Sequence, residues 1–259
     1  MMTHAVVSRD EWNEARLKLL AQEKELTKAR DRLAAERLTL PWVKIDKAYI
    51  FDTPDGRKTL AELFAGRSQL IIKHFMMWPG RNDVCNGCAF EVDHVIGALV
   101  HLEHHDVSYV CVARAPLDEI EAVRRRMGWP IRWVSSFDSD FNYDFNVSFK
   151  PEDMAAGPVT YNYRPEKMSI TDLSGHSCFY RNEAGDIFHT YSVFGRGAEE
   201  VLTTYMYLDF APLGRNEGAA KMSEWVRPHD KYAEGGRVDG IGQYHAPEGA
   251  GCCGAGSSN

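Results

Sequence analysis

A mixed α/β sheet, part parallel and part antiparallel with helices on both faces, is the fold that the order of apolar segments predicts. Three observations carry it. Strand-like and helix-like runs alternate from residue 69 to 135, and a hairpin pattern followed by a helix occupies residues 176–208. The length of 259 residues leaves room for one such core plus extensions. Alternating β-α-β-α-β implies parallel strands joined by crossover helices, and the later hairpin implies an antiparallel edge.

Taken in order, the first element is a long helix. Ser8 and Glu11 form a capping-box pattern before Trp12, and Leu19, Leu26, Leu33 and Leu40 recur every seven residues. Residues 8–38 read as one amphipathic helix ended before Pro41, packing on its own domain or on a partner subunit. Gln22 and Glu36 interrupt the second half of the seam, which argues against a sustained coiled coil. Residues 43–53 read as a short hairpin region with a turn at Asp55-Gly56, and residues 60–64 as a short helix. Residues 69–77, 107–112 and 131–135 read as buried strands, and residues 85–105 and 117–127 as the helices between them. Residues 176–182 and 187–194 read as a hairpin across Glu183-Ala184-Gly185-Asp186, followed by a helix over 198–208. That is the element order of the thioredoxin fold. The expected organisation is a helical extension (1–40), the α/β domain (41–217) and a flexible glycine-rich tail (218–259) in which apolar periodicity fades.

Hydrophobic residues at 44% and charged ones at 26% exclude a wholly disordered chain, and a net charge of −7 argues against nucleic acid or an anionic membrane as partner. No apolar run approaches the ~20 residues that span a bilayer, and the first ten residues lack a secretory pattern. A cytoplasmic location is therefore expected. In a reducing compartment, a close pair among the six cysteines points to catalysis or metal binding rather than to a structural staple.

Cys85-Asn86-Gly87-Cys88 follows a strand and opens a helix. The thiolate is the reactive form, and the positive end of a helix dipole favours it. Two intervening residues bring the sulfurs within bonding reach across one turn. Val92, Val95, Ile96, Leu99 and Leu102 form an apolar stripe on the same side as both cysteines. Cys85 is expected at the exposed end as attacking nucleophile, and Cys88 against the core as resolving thiol. His94, His101 and His105 share a face almost opposite the cysteines and read as a solvated surface, as do Glu91 and Asp93, so no metal site is assigned.

The chain resembles the bacterial thioredoxin-like proteins catalogued as domain of unknown function 899 over residues 8–217. The stretches that carry the resemblance are His74-Phe-Met-Met-Trp-Pro-Gly80 leading to Cys85-Asn-Gly-Cys88, Val112-Ala-Arg-Ala-Pro116, residues 127–130, residues 134–145 and residues 188–194. The resemblance implies a thioredoxin-like fold and a dithiol oxidoreductase, without naming a substrate. Thioredoxins place a cis-proline before the strand facing the dithiol; here Leu173-Ser174-Gly175 stands in that place, so substrate handling differs. The peroxidatic Pro-x-x-x-Thr/Ser-x-x-Cys pattern of peroxiredoxins is absent before either cysteine.

Other candidates are secondary. Cys111 reads as a buried strand thiol, and Cys178 as a core cysteine or third redox thiol. Arg114, at the carboxyl end of a strand, would lower the Cys85 pKa or hold an acidic substrate, or else form a surface salt bridge. Trp78, Phe137, Phe141, Tyr143 and Phe145 would wall a substrate pocket or pack a long loop. Cys252 and Cys253, between glycines, suit a mobile thiol arm, soft-metal capture or an inert end. The expected function is thiol–disulfide exchange on a small-molecule or protein substrate, with a separate reductant, no bound cofactor and a homo-oligomer through the first helix. The alternatives are a soft-metal sensor using the cysteines and a non-catalytic binding module.

Overall fold

The Ser8 hydroxyl accepts the Glu11 amide at 3.3 Å and the Glu11 carboxylate accepts the Ser8 amide at 2.9 Å, and this reciprocal cap starts α1 (Arg9–Arg37). The structure, a computed structural model, describes residues 4–80, 84–219, 221–239 and 243–247. Two compact units are present, Met1–Trp42 and Val43–Asn259. The first consists of α1, which has no buried residue.

In the second unit, β1 (Val43–Lys44), β2 (Ile50–Thr53) and β3 (Gly56–Thr59) precede α2 (Leu60–Leu63), which is capped by Thr59. β4 (Gln69–Phe75) leads to α3 (Asn86–Val95), α4 (Leu99–His104) and β5 (Val107–Ala113). α5 (Leu117–Arg126) returns the chain to β6 (Arg132–Ser135), followed by α6 (Phe141–Asp144), α7 (Pro151–Ala156), β7 (Val159–Tyr161) and β8 (Arg164–Glu166). β9 (Gly175–Arg181) and β10 (Ile187–Phe194) form the hairpin, and α8 (Thr203–Phe210) follows it. Beyond lie α9 (Met222–Trp225), β11 (Arg237–Val238) and β12 (Tyr244–His245).

Eight strands lie in the order β1-β10-β9-β4-β5-β6-β2-β3. β4 pairs in parallel with β5, β5 with β6, and β9 runs antiparallel to β4 on its other side. A strand that hands the chain to a dithiol helix, flanked by one parallel neighbour and one antiparallel hairpin, makes the fold thioredoxin-like.

Period-two alternation splits the core between the faces of the sheet. Phe75, Cys111, Ala113 and Trp133 pack against α3 and α5 through Cys88, Val92, Ile120 and Val123. Leu70, Ile72, Val110 and Val112 pack against Leu60, Leu63, Phe141 and Phe145 on the opposite face. Each such fully buried apolar side chain stabilises the fold by about 1.5–3 kcal/mol relative to exposure.

Several expectations are corrected. Val43 and Lys44 pair with β10, not with residues 49–53; the hairpin is β2–β3, around the predicted Asp55-Gly56 turn. The helix expected over 85–105 is interrupted by a 3₁₀ turn at Ile96–Ala98, where Gly97 weakens helical preference. Within the stretch from 218 onward, expected to be flexible, the described residues include packed anchors. Val226 is 0% and Gln243 1% exposed. Met222, Trp225 and Val226 dock on Phe90 and Tyr205, so a few large anchors hold this segment in place of a periodic stripe. Among the described residues, no helix is long and apolar enough to cross a membrane.

Candidate dithiol site

Cys85 is the N-cap of α3, with extended backbone (φ −63°, ψ 121°), and its sulfur accepts the Cys88 amide at 3.5 Å. The cap position exists because the chain leaves β4 through the Met77–Val84 bridge and turns directly into the helix. One turn on, Cys88 faces the core beside Ala89 and Val92. Both cysteines are buried, Cys85 at 8% and Cys88 at 1% exposure, so the expected exposed position of Cys85 is not found.

The expected order of acidity does not hold. The hydrogen bond to Cys88, and then burial, push the Cys85 thiol well above its ordinary range. Burial works against ionising Cys88 as well, but the hydrogen bond from Cys85 and the ammonium of Lys73 bring it down to about 7. Each thiol thus shifts the other, in opposite directions, and ionisation is favoured at the inner sulfur.

That cation comes from the sheet. Lys73, on β4, is fully buried and pairs with Glu91 of α3 while donating to Ser174 Oγ at 2.6 Å. Desolvation opposes its charge, yet Glu91 and the two cysteines hold its pKa above the ordinary lysine value. His176 Nδ1 lies 3.2 Å from the other Glu91 oxygen, off the line of a hydrogen bond, and the Tyr109 hydroxyl lies 3.1 Å from His176 Nε2. Burial, and then Lys73, keep His176 well below the usual histidine pKa, so it is neutral and a polar neighbour rather than a countercharge.

A cavity of about 160 Å³ reaches the pair, lined by Cys85, Cys88, Glu91, Ser174, Arg196 and Met222 among others. A larger cavity, about 760 Å³, lies by β6 and α2 and has no cysteine in its wall. Cavity size and chemistry therefore point to different places, and the thiols decide in favour of the small one.

The other predicted residues are placed elsewhere. Arg114 makes a bidentate pair with Asp172 at 2.8 and 2.7 Å, which Ser148 also binds, and lies 5.7 Å from the Tyr143 ring centre. It is thus engaged by a carboxylate of its own rather than by Cys85, and Tyr143 packs under it rather than lining the cavity. Trp78 packs on the core cluster that includes the cysteines and does not line the cavity. Cys178, raised to about 11 by burial, sits opposite Ile71 and Tyr191 and is also absent from the wall. Phe141 and Phe145 fill the opposite core. His94 is half-buried rather than solvated, with Nε2 2.7 Å from Thr204 Oγ1. Glu91, read as a surface charge, is buried, and Asp93 accepts from Trp129 Nε1 at 2.7 Å. Cys252 and Cys253 lie outside the described residues. Among the described residues, no group of three or more His, Cys, Asp or Glu is placed to hold a metal ion.

Sequence reasoning missed Lys73, Glu91, Ser174 and His176. Two signals were present: a lysine inside an apolar run from Leu70 to Met77, and an acid three residues after Cys88, on the same helix face.

No curated protein matches the chain. Among solved structures, a PrxQ mutant of Xylella fastidiosa is 13% identical, covering 62% of this chain and 89% of that one, with a TM-score of 0.39. Peroxidoxin BcpB of Mycobacterium tuberculosis is 10% identical over 64% and 95%, with a TM-score of 0.42. The reduced 2-Cys peroxiredoxin of Plasmodium vivax is 13% identical over 66% and 94%, with a TM-score of 0.40. The sequence model of one family, a bacterial protein of unknown function (DUF899), matches residues 1–232, and the chain belongs to that family.

Proposed function

We propose that the protein is a thiol–disulfide oxidoreductase in which Cys85 attacks and Cys88 resolves. The observation that carries this reading is a Cys-x-x-Cys pair at a helix N-terminus, Cys85 as N-cap accepting the Cys88 amide, over the buried Lys73–Glu91 pair. Cys85 is the less deeply buried residue of the pair, and it becomes the attacking thiolate when its proton passes to Cys88. Lys73 stabilises the negative charge on either sulfur. After the mixed disulfide forms, Cys88 must lose its proton, and Glu91, one turn along the same helix, is the carboxylate positioned to take it.

A redox titration with mass-spectrometric mapping of disulfides tests the reading. Wild type is expected to cycle between a dithiol and a single Cys85–Cys88 disulfide. Cys85→Ser is expected to form no mixed disulfide, and Cys88→Ser to accumulate one on Cys85. Failure of the Cys85–Cys88 disulfide to form in wild type would overturn it.

A further inference from the structure

At three places beside Cys85 the described chain occupies positions that a polypeptide substrate would use. The Cys85 backbone is bridged antiparallel to Gln243. The Asn86 side chain donates to the Val226 carbonyl at 3.1 Å. Met222 covers Gly87 so closely that a Cβ there would lie 3.1 Å from its sulfur. A protein substrate that docked as a strand beside the dithiol would need the backbone groups that Gln243 already holds.

Among the described residues, the cavity of about 160 Å³, the share of liquid volume taken by roughly five waters at ~30 Å³ each, reaches the pair. Its wall is mixed in character, with Leu202, Met222 and Ala198 beside Ser174 and Arg196. Arg196 is held by Glu199 through bonds of 2.8 and 3.1 Å, so the polar part of the wall carries a balanced pair rather than a free charge. A short aliphatic chain ending in a small polar group fits both the size and the chemistry.

The geometry points to small aliphatic disulfides, rather than polypeptide disulfides, as the substrates of this dithiol, an inference that rests on the oxidoreductase reading above. The Cys85 thiolate, its proton passed to Cys88, attacks one sulfur of R–S–S–R, breaking the S–S bond to form Cys85–S–S–R and expel RS⁻, which takes a proton from water. Cys88 gives its proton to Glu91, and the Cys88 thiolate attacks the Cys85 sulfur, leaving the Cys85–Cys88 disulfide and expelling the second RS⁻, which is protonated in turn by Glu91. The substrate gains the two electrons that the protein dithiol loses, and an external dithiol reductant restores the reduced protein.

The test is a single turnover of the pre-reduced full chain with bis(2-hydroxyethyl) disulfide or with insulin at equal disulfide concentration. The Cys85–Cys88 disulfide is followed by mass spectrometry after acid quench. The small disulfide is expected to react faster by at least about a hundredfold, the penalty typical of reacting atoms held out of line. Met222→Trp, which fills the cavity, is expected to slow the small disulfide while the redox potential of the pair stays put. Equal rates for both substrates, or an undiminished rate in Met222→Trp, would overturn the inference and leave the oxidoreductase reading intact. Reaction with neither, in a chain whose cysteines alkylate like free thiols, would overturn both.

Discussion

Lys73 and Glu91 form an ion pair with side-chain exposures of 0% and 7%, on the face of the sheet that carries Cys85 and Cys88. Removing one partner leaves a buried charge without compensation, and this costs more than removing both. The pair therefore has two separable effects, one on stability and one on thiol acidity.

Lys73→Met is expected to raise the first thiol ionisation from about 7 by roughly one to three units, the usual effect of losing a close opposite charge. It is also expected to destabilise the fold by about 3–5 kcal/mol. Adding Glu91→Leu should recover most of the stability without restoring the acidity. Thiolate absorbance against pH and urea unfolding measure the two effects, and an unchanged midpoint in Lys73→Met would contradict the role given to the ammonium.

The opposite shifts that the two thiols impose on each other predict opposite responses at the two sulfurs. Cys85→Ala removes the hydrogen bond that lowers Cys88, so the remaining thiol should ionise at higher pH. Cys88→Ala removes the group that raises Cys85 most, so that thiol should ionise at lower pH. Alkylation rates across a pH series distinguish this from two independent thiols, which would show neither movement.

Buried neutral histidines predict acid sensitivity. Burial, then the nearby His176 and Lys73, push His74 down to about 3 from an ordinary 6.5, and burial drives His176 down as well. Between those values the unfolded chain binds a proton that the folded chain refuses, so stability falls as pH drops below about 6.5. Each group contributes a slope of about 1.4 kcal/mol per pH unit. His74→Gln, which can still reach Ser177, should remove one group's slope between roughly pH 6 and 4. Urea unfolding at stepped pH would refute the assignment if the variant and wild type ran parallel.

On α1, Trp12, Leu19, Leu26 and Leu33 lie seven residues apart and are 42–54% exposed. In a parallel, in-register pair of these helices, Glu11 would face Arg16, Lys18 would face Glu23, and Glu25 would face Arg30, while Arg32 would meet Arg37. Three unlike pairs against one like pair favour a second copy of this helix as partner, in a short pairing that Gln22 and Glu36 keep from becoming a sustained coiled coil. Sedimentation of the full chain is expected to give a dimer, and Leu19→Asp with Leu26→Asp a monomer whose thiol titration is unchanged. A monomeric wild type at high concentration would reject the pairing.

How much of this is written plainly in the sequence depends on the element. β4, β5, β9 and β10 are long apolar runs bounded by turn signals, and the dithiol announces itself by its place between β4 and α3. The partner of Lys73 does not. Alternation sends residue 73 to the helix side and residue 74 to the other, but only tertiary pairing tells whether a lysine there is buried with an acid. Glu91 was hidden by the ordinary rule that helix acids face water. Arg114 looked like the site's cation because it ends a strand, and its partner Asp172 is 58 residues away. Beyond residue 217, Met222, Trp225 and Val226 dock as isolated anchors, which leave no period to read.

The Asn86–Val226 bond joins residues 140 positions apart. Both residues belong to one compact unit, and domains fold as units, so the helix that carries Cys85 and Cys88 and the segment that docks on it are expected to form together. A chain cut short of Val226 would leave the Asn86 amide without its carbonyl acceptor. Loss of the last segment is therefore expected to be felt at the first turn of the dithiol helix, far away in sequence but adjacent in space.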